Sequence, residues 1–387
     1  MLTTDKPNRR KILAMTAAGA AGGLAGCLGG DNNGPNDGFR PIEASEIPPD
    51  GTEGSVNSWH IFNGWMEAIT DSFEDEYGLS VNHAFHASPQ PVRAELNQGN
   101  SEIDVSFGLP NILQEGLQDD NNWFEPLPTE IMDGWESNLE EVKELDEEHF
   151  TNDDGDVVAI SYSSDWAPAL VYNTDYFDEP PDSWDIFWEE DLAGDIALSQ
   201  LHTYPCRIAA LYTGQDPTDP DDFEEIEEVL VQQRDLNQTY WGDFSMAQEM
   251  MSREDIVATV NTPGRASLSR FQDDAPVDWT IPQEGSVLDY GQMFIPTGAP
   301  NPRGALAFLD WALRPENQVR LFTEHATAPT ISAFDDYAEE LDLSQEQIDF
   351  IDDSDRVPDD IPDYNNIEES AEVNAEYADL WTRVMGA

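Results

Sequence analysis

Short apolar runs alternate with helical stripes along most of this chain, and that alternation narrows the fold more than any other feature. Val56 to Phe62 reads as a strand, and Trp65, Ile69, Phe73 and Tyr77 then recur at four-residue spacing on one helix face that Gly78 ends. Leu79 to Phe85 is strand-like again, Val92 to Gln98 helical, and Ile103 to Phe107 a strand. Such a succession is how a chain builds parallel strands, because each return needs a crossover long enough to hold a helix. The pattern resumes downstream with strands at 157–162, 169–172, 196–199, 256–260 and 293–295, and helical segments at 184–188, 223–234 and 303–313. The expected class is α/β. The 333 residues after position 54 are enough for two domains at roughly 150 residues each.

Charge says more about the solvent than about the ligand. The chain holds 80 acidic residues against 17 basic ones, a formal charge of −63. That excludes a nucleic-acid binder whose affinity comes from neutralising phosphates. Eleven Trp, 11 Tyr and 17 Phe exclude a disordered acidic chain, since they supply a packed core. Only Lys6, Lys11 and Lys143 are lysines. A surface this rich in carboxylate and this poor in Lys resembles proteins of extreme halophiles, where the Debye length is about 3 Å at 1 M salt and self-repulsion is screened.

The N-terminus reads as an export signal. Lys6-Pro7-Asn8-Arg9-Arg10-Lys11 is followed by an apolar, Ala/Gly-rich stretch from Ile12 to Gly26, too short to span a hydrocarbon core of about 30 Å. Arg9-Arg10-Lys11-Ile12-Leu13 resembles a twin-arginine signal, and Leu24-Ala25-Gly26-Cys27 resembles the lipobox of exported lipoproteins. The resemblance implies a signal over 1–26, lipidation at Cys27 and an anchor to the outer face of the cell membrane. Cleavage removes four positive charges and one negative one, taking the formal charge from −63 to −66. The Gly- and Pro-rich stretch 27–54 has the composition of a flexible tether. Cys206 is then the one cysteine that is neither lipidated nor paired, and it reads as a small buried hydrophobe.

Catalytic signatures are absent from the sequence. There is no G-x-S-x-G, H-E-x-x-H or P-loop. Asn152-Asp153-Asp154-Gly155-Asp156 hints at a calcium loop, but placing Gly155 sixth puts Phe150 first and Ser161 twelfth, so it reads as a polar turn. Among six histidines only His83 and His86 lie close in sequence, and on one strand an odd separation points them to opposite faces. No metal, cofactor or catalytic residue is expected. Asn237-Gln238-Thr239 fits an N-glycosylation acceptor. The acid-rich run from Asp335 to Asp363 reads as a solvated helical surface.

From Trp59 onward the chain resembles the extracellular solute-binding proteins of ABC importers, and among them the spermidine/putrescine-binding branch. The carrying segments are Phe73-Glu74-Asp75-Glu76-Tyr77-Gly78-Leu79-Ser80-Val81, Ala169-Leu170-Val171-Tyr172-Asn173 and Asp182-Ser183-Trp184-Asp185-Ile186-Phe187-Trp188. They continue through Leu192 to Leu198, Ile281-Pro282-Gln283-Glu284-Gly285, Ile295-Pro296 and Gly304 to Leu309. The resemblance implies a two-lobed periplasmic-binding-protein-like fold of type II, with a sheet flanked by helices in each lobe. Lobe one would be 55–164 plus 291–332 and lobe two 165–290 plus 333–387, with crossings near 163–168, 287–292 and 330–337. A monomer is expected that takes a small organic cation, polyamine-like, between its lobes and hands it to importer permease subunits.

Three segments depart from the branch. Asp289-Tyr290-Gly291-Gln292 carries its acid and ring in reversed order, Leu201 to Tyr204 lacks an acid, and Gly108-Leu109-Pro110-Asn111 lacks the Ser/Tyr loop. An organic cation is still favoured, because no cluster of the twelve arginines beyond the signal falls near these loops, while Asp165-Trp166, Trp59, Tyr204 and Asp289-Tyr290 offer carboxylates and rings for an ammonium. The candidate ligand-binding set is Trp59, Asn111, Asp165, Trp166, Tyr204, Asp289 and Tyr290. The alternatives are a ferric-ion or thiamine site on the same fold and, from another class, an anchored surface hydrolase.

Overall fold

The computed structural model describes residues 42, 44–60, 63–86, 90–99, 102–108, 110–117, 121, 123–332, 334–338, 343–351, 357 and 362–386. The signal residues Arg9 and Arg10, the lipobox Cys27 and the first part of the tether lie outside this range.

Among the described residues the strands fall into two sheets. The first has the order β11-β10-β3-β1-β2, with β4 also on β10. Its members are β1 (Ser55–His60), β2 (Ser80–Phe85), β3 (Val105–Gly108), β4 (Ala159–Trp166), β10 (Ser286–Phe294) and β11 (Asp363–Asn365). The second has the order β7-β6-β8-β5-β9. It comprises β5 (Ala169–Asn173), β6 (Ile196–Ser199), β7 (Asn237–Trp241), β8 (Ala258–Asn261) and β9 (Val277–Thr280). β1 runs parallel to β2 and β3, and β6 parallel to β7 and β8, as strand–helix–strand succession requires. β10 is antiparallel to β3 and β4, and β5 to β8 and β9.

Each sheet buries its own core. In the first, the stripe read from the sequence is confirmed: Trp65, Ile69 and Phe73 of the helix Asn63–Tyr77 are fully buried, and Gly78 ends that helix at φ 67°, where a side chain would be strained. Phe73 meets Phe308 of the helix Pro302–Leu313 edge to face at 5.0 Å. In the second, Trp184, Trp241 and Trp279 are buried, and the Trp279 indole donates to the Phe350 carbonyl at 2.7 Å. Phe350 and Ile348 lie inside the acid-rich run, so part of that segment closes a core instead of merely solvating a face. A further cluster sets Cys206 and Ala209 of the helix Thr203–Tyr212 against Tyr377 and Trp381 of the helix Ala371–Gly386. Cys206 is fully buried and its thiol is pushed well up by burial, as its reading as a small hydrophobe expects.

The chain changes sheet twice, each time over a short segment. β4 ends at Trp166 in the first sheet and β5 begins at Ala169 in the second. The return lies between Thr280 and Ser286, upstream of the expected 287–292, because β10 is nine residues long, pairing with β11 from Ser286 to Leu288 and with β4 from Leu288 to Phe294. The apolar run 293–295 seen in the sequence is only its end. Its middle, with Asp289, Gly291 and Gln292, interrupts the apolar signature that sequence reading depends on. β11 also joins the first sheet, through Ser286 to Leu288. The Asn152–Asp156 segment is a turn in which Asn152 Oδ1 accepts from the amides of Asp154 and Asp156 at 3.0 and 2.9 Å. The Asn237 amide is engaged both ways with Gln233, at 2.8 and 3.1 Å.

Candidate functional site

Topology sets one edge of each sheet against the other. Because β4 runs in the same sense as β3, His60, Gly108 and Trp166 all end strands at one edge of the first sheet. By the same argument Ser199, Trp241 and Asn261 end strands at one edge of the second, where β5 starts at Ala169 directly after the crossing. Open α/β sheets bind ligands in the crevice beyond the carboxyl ends of their strands, and here two such edges flank one crevice.

Four of the seven expected residues gather there. Asp165 and Asp289 are cross-strand partners on β4 and β10, and Trp166 pairs with Leu288 one step on. Tyr204, buried at the start of its helix, has its pKa raised by burial first and then by Asp289 and Asp165, both within electrostatic reach, against the pull of Arg207. Its ring stands 6.3 Å from Trp241 and 6.0 Å from Phe244, giving the crevice an aromatic wall on the second lobe. Tyr290 and Trp59 instead join a core cluster of the first lobe, with Trp59 tilted on His86 at 4.5 Å. Trp59 also borders an open surface groove of about 450 Å³ with Asn57, Asn82, His83, Ala84, Glu102 and Pro300. Asn111 lies in the helix Pro110–Gly116, and its side chain is outside the described residues.

Two arginines reach the crevice, where the sequence showed no cluster of them. Arg207 is buried, donating from Nε to Glu369 and from Nη1 to Asp289, both at 2.8 Å, and from Nη1 to the Ala167 carbonyl at 3.2 Å. Burial works against its charge, and the two carboxylates more than offset that, so its pKa rises. Asp289 is therefore a structural counter-ion as well as a crevice acid. Arg265 sits half-buried in the first turn of the helix Pro263–Phe271, whose amide end is capped by Thr262. Sequence spacing could not flag either residue: Arg207 is separated from Glu369 by 162 positions and from Asp289 by 82.

The lobes touch where Gly264 meets the backbone of Ala326, so closely that a Cβ on Gly264 would collide with its carbonyl. The cavity beside this contact, lined by Ser164, Asp165, Trp166, Pro263, Gly264 and Ala328 among others, measures about 20 Å³. That is room for about one water, for which roughly 10–15 Å³ suffices, and far too little for an organic solute. A solute enters beside Asp165 only if the lobes part.

Residues 68–348 match the family of bacterial extracellular solute-binding proteins. The chain belongs to that family. A similar protein is the putrescine/agmatine-binding protein of Pseudomonas aeruginosa, 25% identical over 298 residues, covering 69% of this chain and 76% of the relative. The putrescine-binding periplasmic protein PotF of Escherichia coli is 24% identical over 287 residues, 66% of this chain and 73% of its own. Among solved structures, the spermidine/putrescine ABC transporter substrate-binding protein PotD of Streptococcus pneumoniae superposes with a TM-score of 0.67 at 19% identity, over 86% of this chain and 99% of that one. That likeness establishes the periplasmic-binding-protein-like fold expected from the sequence. The family consists of substrate-binding transport proteins and not of enzymes.

Histidines are the second electrostatic feature of this solute-binding protein. His60 Nε2 lies 3.1 Å from His83 Nδ1, and His325 Nε2 accepts from the Trp65 amide at 3.2 Å. Burial, with His83, His86 and His325 nearby, pushes His60 down to about 3, and burial with Arg265 pushes His325 down to about 4. Among the described residues no three His, Cys, Asp or Glu side chains are placed to hold a metal ion.

Two outcomes follow from this geometry. Arg207→Ala leaves the buried Glu369 and the partly exposed Asp289 without their counter-charge and costs about 3 kcal/mol, read by denaturant melts in constant high salt. Arg207→Met with Asp289→Asn and Glu369→Gln together is much milder. The histidines bind protons more readily unfolded, near pH 6.5, so their contribution is complete above that value and is lost as pH falls through it. For His60 the loss from pH 7.5 to 5 is about 2 kcal/mol. Buried Asp146, raised to about 7 by burial, acts in the opposite sense. The comparison is therefore with His60→Gln, whose melts lose about that much less over the same window.

Proposed function

We propose that this chain is a lipid-anchored extracellular solute-binding protein that captures a small organic amine between its lobes and delivers it to an ABC importer. The observation that carries the amine is the meeting of Asp165 and Asp289 on adjacent strands beside Trp166 and Tyr204. Carboxylates hold an ammonium by charge-assisted hydrogen bonds, and aromatic faces add cation–π attraction in a desolvated site. The relatives named for putrescine support the same class. In high salt, long-range steering is screened, so contact geometry selects the solute.

Lobe closure provides the signal to the importer. Ligand bound at both edges favours the closed form by its differential affinity for the two states. Anchoring would come from Cys27 and the tether after it, whose far end packs on the first lobe through Ile42, Ala44 and Ile47, with export through the Arg9-Arg10 signal. A signal of this type suits cargo that folds in salty cytoplasm before export.

Titration in multimolar KCl with diamines, agmatine, thiamine, betaines and sugars is expected to show saturable binding of an amine. Silence across all cations would sink the ligand class. Asp165→Asn keeps the acceptor for the Ala328 amide and removes the charge, so it weakens amine binding about ten-fold, about 1.4 kcal/mol. In the native host, Cys27→Ser shifts the protein from the membrane fraction to the medium; retention on the membrane overturns the anchor.

A further inference from the structure

Every described charged group of the crevice has a structural partner except one. Arg207 holds Glu369 and Asp289. Asp165 accepts from the Ala328 amide at 3.0 Å, and Asp243 caps its helix through the Met246 amide at 3.0 Å. Arg265 is different: among the described residues its guanidinium makes no ion pair and no hydrogen bond. It is half-buried, and burial lowers its pKa against the pull of Asp165 and Asp243.

Its position is defined from both lobes. Pro263 and Gly264, the two residues before it, line the interlobe cavity with Asp165 and Trp166. On the facing lobe, Arg265 is close enough to depress His325, the last residue of the helix Pro315–His325. An arginine offers five N–H donors in a planar fork, and withdrawing it from water without an acceptor is costly. Among the described residues no carboxylate pairs with it, although Asp165 and Asp243 act on it electrostatically.

We propose that the solute itself supplies that carboxylate, and that Arg265 is the residue that binds it. The guanidinium would take the carboxylate in a two-point contact, which a lysine would not reproduce. Positive potential from the amide end of the Pro263–Phe271 helix adds to the attraction. The ammonium end lies toward Asp165 and the Trp166–Tyr204 wall. Asp165, Asp243 and the Arg207–Asp289–Glu369 group together outweigh Arg265 in charge, so the solute keeps a net positive charge. The chemical class is a basic amino acid, or a compound with the same arrangement of two cationic groups and one carboxylate. This inference rests on the amine reading above.

Two matched pairs isolate the carboxylate: putrescine against ornithine and agmatine against arginine. Calorimetric titration of the exported protein in multimolar KCl is expected to show the carboxylated member of at least one pair binding ten-fold tighter or more. Arg265→Gln is expected to close that gap to within about two-fold by weakening the carboxylated member. Arg265→Lys is expected to leave it intermediate. A wild-type protein that binds the decarboxylated member equally or more tightly overturns this proposal and leaves the amine reading standing. A gap that survives in folded Arg265→Gln, checked by near-ultraviolet circular dichroism, overturns the role of Arg265. If neither member of either pair binds, the amine reading falls and this proposal with it. Should the glutamine variant not fold, the wild-type pairs and the lysine variant still decide.

Discussion

The buried guanidinium of Arg207 is the interaction on which the arrangement of the two lobes depends. From one side chain it reaches Ala167 in the crossing from β4 to β5, Asp289 on the returning β10, and Glu369 ahead of the C-terminal helix. Arg207 belongs to a helix of the second lobe, while Asp289 is part of the first sheet. Ion pairs of this kind add little net stability over an apolar filling, since desolvation consumes most of the attraction. Their effect is on register: three chain segments far apart in sequence are compatible with the buried charge in one arrangement.

That arrangement places unlike groups in one crevice. The second lobe contributes an aromatic wall around Tyr204 and an arginine at a helix start, and the first contributes Asp165 and His325. Contact between Gly264 and Ala326 is tight enough that the crevice has almost no free volume at that point. A two-state protein needs such a contact, because packed interfaces are bistable and do not deform continuously.

Much of the fold was legible in the residue pattern, for physical reasons that vary by element. The helix Asn63–Tyr77 could be read because its buried positions repeat at helical spacing and Gly78 stops it. β5 and β6 were legible because they are buried on both faces and so apolar up to their last residues, Asn173 and Ser199. β10 was read only at its apolar end, since Asp289, Gly291 and Gln292 carry no apolar signal, and their strand pairing comes from β4. Phe350 was hidden within an acid-rich run although its carbonyl and ring complete the second core. At the site, Asp165, Trp166, Tyr204 and Asp289 were expected and do converge. Trp59 and Tyr290 were drawn into a core because large rings pack wherever apolar surface offers itself.

By itself, then, the sequence determined the α/β class, the two-lobed organisation and an acidic, Lys-poor composition. These follow from local periodicity, order of segments and composition, which do not require knowing what touches what. Only the tertiary structure decided which of 80 acids matter. Asp289 is held by an arginine 82 positions away, and Arg265 has no acceptor among the described residues, because charge pairing is set by distances of a few ångströms between segments remote in the chain.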